Sequence, residues 1–195
     1  MRILRYLKKL LWVGIFAIIF AWFVIGLCWA LNPWFAFTED AFSDFGGAEA
    51  YCPELYNYGL IVTGILIVLY GSAICLIGEN KLEIVGASYL SLAGVFLALI
   101  GIFPSGTKPH TFVSSWFFLQ IYTAFIVLGV GMMRRKLTYS LEVLIISSLA
   151  VPVAILAEIL WGWPSAAVLE AYGIIIIDIC VVLITMAYLR LIGRR

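Results

Sequence analysis

Residues 10–31 read LLWVGIFAIIFAWFVIGLCWAL, an apolar run without a charged side chain. A helix needs about 20 mostly apolar residues to cross the hydrocarbon core of a bilayer. The basic residues before this run, Arg2, Arg5, Lys8 and Lys9, are typical of a signal peptide. The run, however, is longer than the roughly 7–15 apolar residues of such a signal. The sequence therefore predicts an uncleaved first transmembrane helix.

The same pattern recurs along the rest of the chain. Five further apolar runs, separated by short polar breaks, lie at about 55–77, 83–103, 112–133, 139–161 and 168–190. Of the 195 residues, 65% are hydrophobic and only 12% are charged, against roughly 25% charged residues in a soluble domain. We predict an all-α polytopic membrane protein, a single domain over residues 1–195 with six transmembrane helices in an antiparallel bundle.

Basic residues set the expected orientation. Lys and Arg near helix ends stay in the cytoplasm, and with the amino terminus inside only Lys108 of the 12 basic residues lies outside. We therefore expect a cell-membrane protein with both termini cytoplasmic and with loop 32–54 extracytoplasmic. Because this loop is longer than the other connections, it is a candidate lid or functional segment. It contains no Lys or Arg, and its acidic residues are Glu39, Asp40, Asp44, Glu49 and Glu54.

Several classes of function are excluded or disfavoured. The net charge of +1 offers no basic face for a nucleic acid. The only histidine is His110, and the four cysteines form no Cys-x-x-Cys pair, so we expect no zinc site and no cofactor. Cys28 and Cys52 are both predicted near the outer face, where a disulfide and two free thiols remain alternatives. The oligomeric state is left open.

Two acidic residues inside predicted spans need a partner. Asp178 lies near the midpoint of the sixth span, on a stripe with Ala171, Ile174 and Thr185 that should face other helices. Charges in a bilayer are costly and usually face the bundle interior or a wet cavity. We expect a donor from another helix to bind Asp178, with Gln120, Ser147, Ser148 or a tyrosine as candidates, or its carboxyl group to be protonated at neutral pH.

The second acid, Glu158, lies near the outer end of the fifth span. With Ser147, Val151 and Ala154 it follows a 4-3-4 spacing that predicts a seam of small and polar residues packed against another helix. Each of these two acids has a functional reading, as a proton-handling or ligand-binding group, and a structural one.

Further polar candidates lie toward the predicted outer face. Ser43 and Asp44 belong to the long loop, and Asn57 lies in the first turn of the second span. His110 begins the fourth span, and Ser114 shares its face one turn later. Each residue also has a purely structural interpretation, as a turn former, a helix cap or an interface residue.

Together these motifs resemble those of a widespread prokaryotic membrane family of unknown function, which is similar in layout to the Frag/DRAM/Sfk-type six-span proteins. The residues that carry the resemblance are Ser43-Asp44-Phe45-Gly46, Asn57-Tyr58-Gly59, Gly64, Gly101-Ile102-Phe103-Pro104, His110 and Phe117-Phe118. Phe45 stands where that family more often has leucine. The resemblance implies that Asp44, Asn57, Pro104 and His110 form one outer-facing polar cluster. It implies no reaction, and only by analogy of fold does it point to the handling of lipids.

Three functions remain open at this point. The first is an outer-leaflet site that binds or handles a lipid or small amphiphile, with Asp44, Asn57, His110, Glu158 and Asp178 as candidate ligand-binding residues. The second is a metal-independent hydrolase or transferase, with His110 as base, Ser114 or Ser43 as nucleophile and Asp44 orienting the imidazole. It lacks a nucleophile-elbow motif. The third is a small proton-coupled transporter using Asp178 and Glu158, although no inverted repeat is visible.

Overall fold

The computed structural model describes residues 2–193, with side chains from Tyr6 onward. Its helices are α1 (Arg2–Leu31), α2 (Pro53–Ile77), α3 (Lys81–Ile102), α4 (His110–Arg134), α5 (Ser140–Trp161) and α6 (Ala166–Gly193). All six are long and apolar enough to cross a membrane, and this part of the chain contains no β-strand. The all-α, six-span fold is thereby confirmed. Arg194 and Arg195, which entered the argument on orientation, lie outside the described residues.

The helix starts follow local sequence signals. α1 begins at Arg2 rather than Leu10, because Leu, Lys and Arg are all good helix formers. α3 begins with a capping box, in which the Asn80 side chain accepts hydrogen bonds from the amides of Leu82 and Glu83 at 3.1 and 3.0 Å. The Glu83 carboxylate accepts a hydrogen bond from the backbone amide of Asn80. Backbone N–H groups that the start of a helix leaves unpaired are thereby satisfied. The other helices begin within two residues of the predicted bounds.

Helices α2, α3 and α4 pack backbone against backbone at glycines. A Cβ atom placed on Gly94 of α3 would lie 2.6 Å from the carbonyl oxygen of Gly64 on α2. One placed on Gly86 would lie 2.7 Å from the amide nitrogen of Leu128 on α4. Small residues at such seams let helices approach closely in a membrane, where packing replaces the hydrophobic effect as the driving force.

The remaining helices surround this layer. α1 packs on α2, where a Cβ on Gly59 would lie 2.5 Å from Val24. α6 is joined to α2 by the Tyr70 hydroxyl, which is 2.8 Å from the hydroxyl of Thr185. α5 is the most exposed helix, and all its buried residues precede Pro152. The half of α5 after Pro152 therefore leaves one side of the bundle uncovered.

Loop 32–54 folds over one end of the bundle, which we call the loop end. A short 3₁₀ helix, Phe42–Gly46, buries Phe42 and Phe45 beside Phe35. The Ser165 hydroxyl donates to the Phe37 carbonyl at 2.6 Å, and the Ala167 amide donates to the Asp40 carbonyl at 2.9 Å. The loop is thus an ordered cover fixed to the start of α6.

A buried ionic cluster, the Glu83 cluster, fixes the opposite end. Its members are Glu79, Asn80, Glu83, Arg135 and Tyr188. The fully buried Glu83 accepts from the Tyr188 hydroxyl at 2.8 Å and pairs with Arg135 at 3.3 Å. Arg135 also pairs with Glu79 at 2.6 Å and donates to the carbonyl of Ile77. The cluster therefore joins the ends of α2, α3, α4 and α6.

Candidate functional site

A cavity of about 120 Å³ lies inside the bundle. Residues of α1, α2, α3, α4, α6 and the long loop line it, and most of them are aliphatic or aromatic. Its polar lining is sparse and includes Ser43, His110, Ser114, Glu170 and Asp178. An apolar space with a few polar groups is the usual form of a small-molecule site. We call this space the central cavity.

The loop closes the central cavity at the loop end. Phe42 and Ser43 belong to its lining, and the Glu170 carboxylate accepts a hydrogen bond from the Phe42 amide at 2.7 Å. The backbone amide and the hydroxyl of Ser43 also face this carboxylate. Glu170 therefore holds the 3₁₀ helix over the cavity.

Asp178 lines the same cavity, about two turns further along α6. Its Oδ2 accepts a hydrogen bond from the indole Nε1 of Trp22 at 2.7 Å. The expectation of a donor from another helix is confirmed, but the expected partners were wrong, because α1 and not α4 or α5 lies against this face of α6. Ala171 and Thr185 are buried and Ile174 is half-buried, so the predicted stripe does face the bundle.

A second space, the lateral groove, lies between α4, α5 and α6 and has a volume of about 640 Å³. Ala150, Val151 and Ala154 line it along α5, and Tyr172 lines it along α6. Trp163 covers its loop end, with the indole Nε1 donating to the Ala154 carbonyl at 3.2 Å. Because the half of α5 after Pro152 is exposed, the groove opens toward the side of the bundle.

The predicted seam on α5 has a different role from the expected one. Ser147 is buried as predicted, whereas Val151 is 45% exposed and Glu158 is also exposed. Val151, Ala154 and Glu158 line the lateral groove instead of packing on a neighbouring helix. The Glu158 carboxylate accepts a hydrogen bond from the Trp163 amide at 3.0 Å, which fixes the turn between α5 and α6.

The motif residues of the loop end hold the connections together. Asp44 accepts from the Ala41 amide at 2.9 Å and from the Ser105 hydroxyl at 3.1 Å. Asn57 donates to the Gly46 carbonyl at 3.1 Å, and Nδ1 of His110 lies 2.9 Å from the Phe103 carbonyl oxygen. Across residues 6–193, no hydrogen bond joins Asp44, Asn57 and His110 to one another.

The hydrogen bonds at the loop end also involve the candidate catalytic residues, which are His110, Ser114, Ser43 and Asp44. The Ser114 hydroxyl donates to the carbonyls of His110 and Thr111 in its own helix, at 2.9 and 3.1 Å, and not to the imidazole. Ser43 lies beside Glu170, and Asp44 is bound to Ser105. His110, Ser43 and Ser114 line the central cavity, while Asp44 does not.

Neither a disulfide nor a cluster of metal ligands is found among the described residues. Cys28 is buried, Cys52 is exposed, and both are free. Within residues 2–193, no three His, Cys, Asp or Glu side chains lie close enough together to hold a metal ion.

The fold, with a cavity inside the bundle and a groove on its side, defines the class: a multi-pass integral membrane protein with six helices and an apolar cavity. A family described as "Protein of unknown function (DUF998)" matches residues 15–187. The chain therefore belongs to the DUF998 family, in agreement with the resemblance drawn from its motifs. No curated protein and no solved structure matches the chain.

Proposed function

We propose that the protein binds a lipid or another small amphiphile, whose apolar part occupies the central cavity and the lateral groove. The observation that carries this proposal is that Phe118 and Glu170 line both spaces. These two residues form the boundary between the inside of the bundle and a groove that faces the membrane. An amphiphile dissolved in the bilayer thus has a sideways route to the cavity.

The size and lining of the groove support this proposal. Its volume of about 640 Å³ falls within the roughly 300–1,000 Å³ of ordinary ligand sites. Its walls are largely apolar, and the two charged residues of its lining, Glu158 and Glu170, lie toward the loop end. That distribution suits a molecule with an apolar tail and a polar head.

The ordered loop also favours sideways entry. Phe42 and Phe45 are 2% and 0% exposed, so both rings are packed inside the protein at the loop end. The loop is fixed by Glu170 and by Ser165, and opening it would break several hydrogen bonds together. At the boundary between the two spaces, Phe118 packs against Gly173, which has no side chain.

We further propose that the chain is one domain in the cell membrane, with both termini cytoplasmic and membrane lipids as its partners. The loop end then faces outward. The distribution of basic residues supports this orientation, since Lys81, Arg134, Arg135 and Lys136 all lie at the end opposite the loop.

The experiment that tests amphiphile binding compares two bulky substitutions in the membrane-facing surface. Ala154→Trp fills the lateral groove, while Leu92→Trp changes an exposed position of α3 outside both spaces. Native mass spectrometry of each protein, released from mild detergent, measures the fraction that carries an amphiphile.

We expect wild type and Leu92→Trp to retain the bound molecule and Ala154→Trp to lose at least four-fifths of it. Lipidomics of the denatured sample identifies what was bound. Equal occupancy in all three proteins, or no bound amphiphile in any of them, would contradict the proposal.

A further inference from the structure

The hydrogen bonding of Asp178 is incomplete. A carboxylate offers about four acceptor positions on two oxygens, and Asp178 uses one of them, on Oδ2, for the Trp22 indole. Its Oδ1 accepts no hydrogen bond within residues 6–193, although the residue is half-buried and lines the central cavity. The carboxylate therefore has unused capacity toward the cavity.

No protein cation compensates this charge. In the described part of the chain, neither Lys nor Arg lines the central cavity. The one base in its lining is His110, which starts α4 at the loop end and faces the Phe103 carbonyl through Nδ1. A carboxylate in a medium of low dielectric constant is costly unless a positive charge or several donors face it. Within the described residues, the Trp22 indole is the single donor to the Asp178 carboxylate.

The rest of the cavity also favours a cation. Glu170 adds a second carboxylate to the lining, about 12 Å along α6 from Asp178 at 1.5 Å per residue. Five aromatic residues contribute ring surfaces, on which an ammonium group is stabilised by the ring quadrupole. They are Phe42, Tyr56, Tyr70, Phe117 and Phe118. A phosphate or carboxylate head would instead meet two carboxylates and, in the described lining, neither Lys nor Arg.

We infer that Asp178 binds the protonated amino group of the ligand, a single-chain amphiphile with an ammonium head and no phosphate. The central cavity, at about 120 Å³, takes the head and the nearest part of the chain, and the rest of the chain lies in the lateral groove. This inference rests on the proposed function, which supplies the amphiphile, and adds the charge of its head. Asp178 contacts the ammonium, Trp22 orients the carboxylate, and the aliphatic lining contacts the chain.

The test uses three probes that share a chain and differ in the head: dodecylamine, dodecan-1-ol and dodecanoic acid. The intact protein is placed in nanodiscs of phosphatidylcholine, and the affinity of each probe is measured against empty nanodiscs at neutral pH. Asp178→Asn keeps an acceptor for Trp22 and removes the charge. Glu142→Gln, an exposed carboxylate of α5 outside both spaces, is the matched control.

We expect dodecylamine to bind wild type and Glu142→Gln at least tenfold more tightly than dodecan-1-ol does. In Asp178→Asn this preference should fall to less than threefold, with the affinity for the alcohol unchanged. The preference of wild type for the amine is itself a test that needs no variant, so a poorly folded Asp178→Asn protein leaves the inference falsifiable.

The experiment distinguishes failure of the inference from failure of the proposed function. Equal binding of amine and alcohol to wild type, as a protonated Asp178 would give, overturns the inference and leaves amphiphile binding intact. An amine preference that persists in Asp178→Asn also overturns it. If none of the three probes binds, the proposed function fails and the inference fails with it.

Discussion

The indole of Trp22 donates a hydrogen bond to Asp178 over 2.7 Å, joining the first helix to the last across 156 positions of sequence. This contact accounts for a carboxylate in the middle of a transmembrane segment, where an unpaired charge is costly. It also gives Trp22 a role different from the interface anchoring that is common for tryptophan in membrane proteins.

Replacing Trp22 by Phe keeps an aromatic ring and removes the donor. We expect Trp22→Phe to lower the free energy of unfolding by about 0.6–1.7 kcal/mol, the range measured for hydrogen bonds between transmembrane helices. Asp178→Asn retains an acceptor and should lose less. Thermal unfolding in detergent checks both, with Trp12→Phe at an exposed position of α1 as the control. Equal losses in Trp22→Phe and Trp12→Phe would contradict this reading.

The Glu83 cluster should dominate stability at the end opposite the loop. Glu83→Ala leaves the Tyr188 hydroxyl and one side of Arg135 without their buried partner. Removing one member of a buried ion pair costs about 3–5 kcal/mol. Glu142→Ala, at an exposed position of α5, should change stability by less than about 0.5 kcal/mol.

Chemical denaturation of the two variants measures this difference. Should Glu83→Ala fail to fold, Tyr188→Phe removes a single hydrogen bond and should cost about 1.5–3 kcal/mol, as for bonds to charged groups. Comparable stability of Glu83→Ala and Glu142→Ala would show that the cluster does not hold the helices together.

The seam between α2 and α3 should tolerate no added methyl group. In Gly94→Ala, the new Cβ would lie 2.6 Å from the Gly64 carbonyl oxygen and 2.9 Å from the Val68 amide nitrogen. Both contacts are with backbone, so the helices must separate, at about 1–3 kcal/mol for such overpacking. Gly26→Ala is the matched control, because nothing lies within 4 Å of its added Cβ. A melting temperature unchanged in Gly94→Ala would refute the close approach.

Asp44 should keep the long loop closed. Asp44→Ala removes the acceptor for both the Ala41 amide and the Ser105 hydroxyl, while Glu49→Ala changes an exposed acidic residue of the same loop. We expect amide hydrogen exchange of residues 41–47 to become at least tenfold faster in Asp44→Ala only. Protection equal to wild type would mean that the buried aromatic rings suffice to hold the loop.

The proposed orientation has a direct test in intact cells. In a background without native cysteines, a membrane-impermeant thiol reagent should label Glu49→Cys in the long loop and leave Lys136→Cys unlabelled. Both positions are exposed in the structure, so accessibility to the reagent depends on the side of the membrane. Labelling of Lys136→Cys alone would reverse the topology and place the candidate site on the cytoplasmic side.

Sequence patterns predicted much of the fold. The five later helices begin within two residues of their predicted starts, because the length and apolar character of a span are local properties of the chain. The acidic loop and the motif residues could likewise be found by inspection. Their partners could not, since Ser105, Gly46 and Phe103 carry no signal that links them to Asp44, Asn57 and His110.

By itself the sequence determined six apolar helices, the polar ends between them and a mid-span carboxylate that had to face the bundle. Only the tertiary structure decided that α1 lies against α6, so that Trp22 rather than a residue of α4 or α5 binds Asp178. It also decided that the exposed half of α5 leaves a groove meeting the central cavity at Phe118 and Glu170. The physical reason is that hydropathy fixes which segments enter the membrane, whereas their neighbours depend on close packing at glycines and on hydrogen bonds between distant side chains.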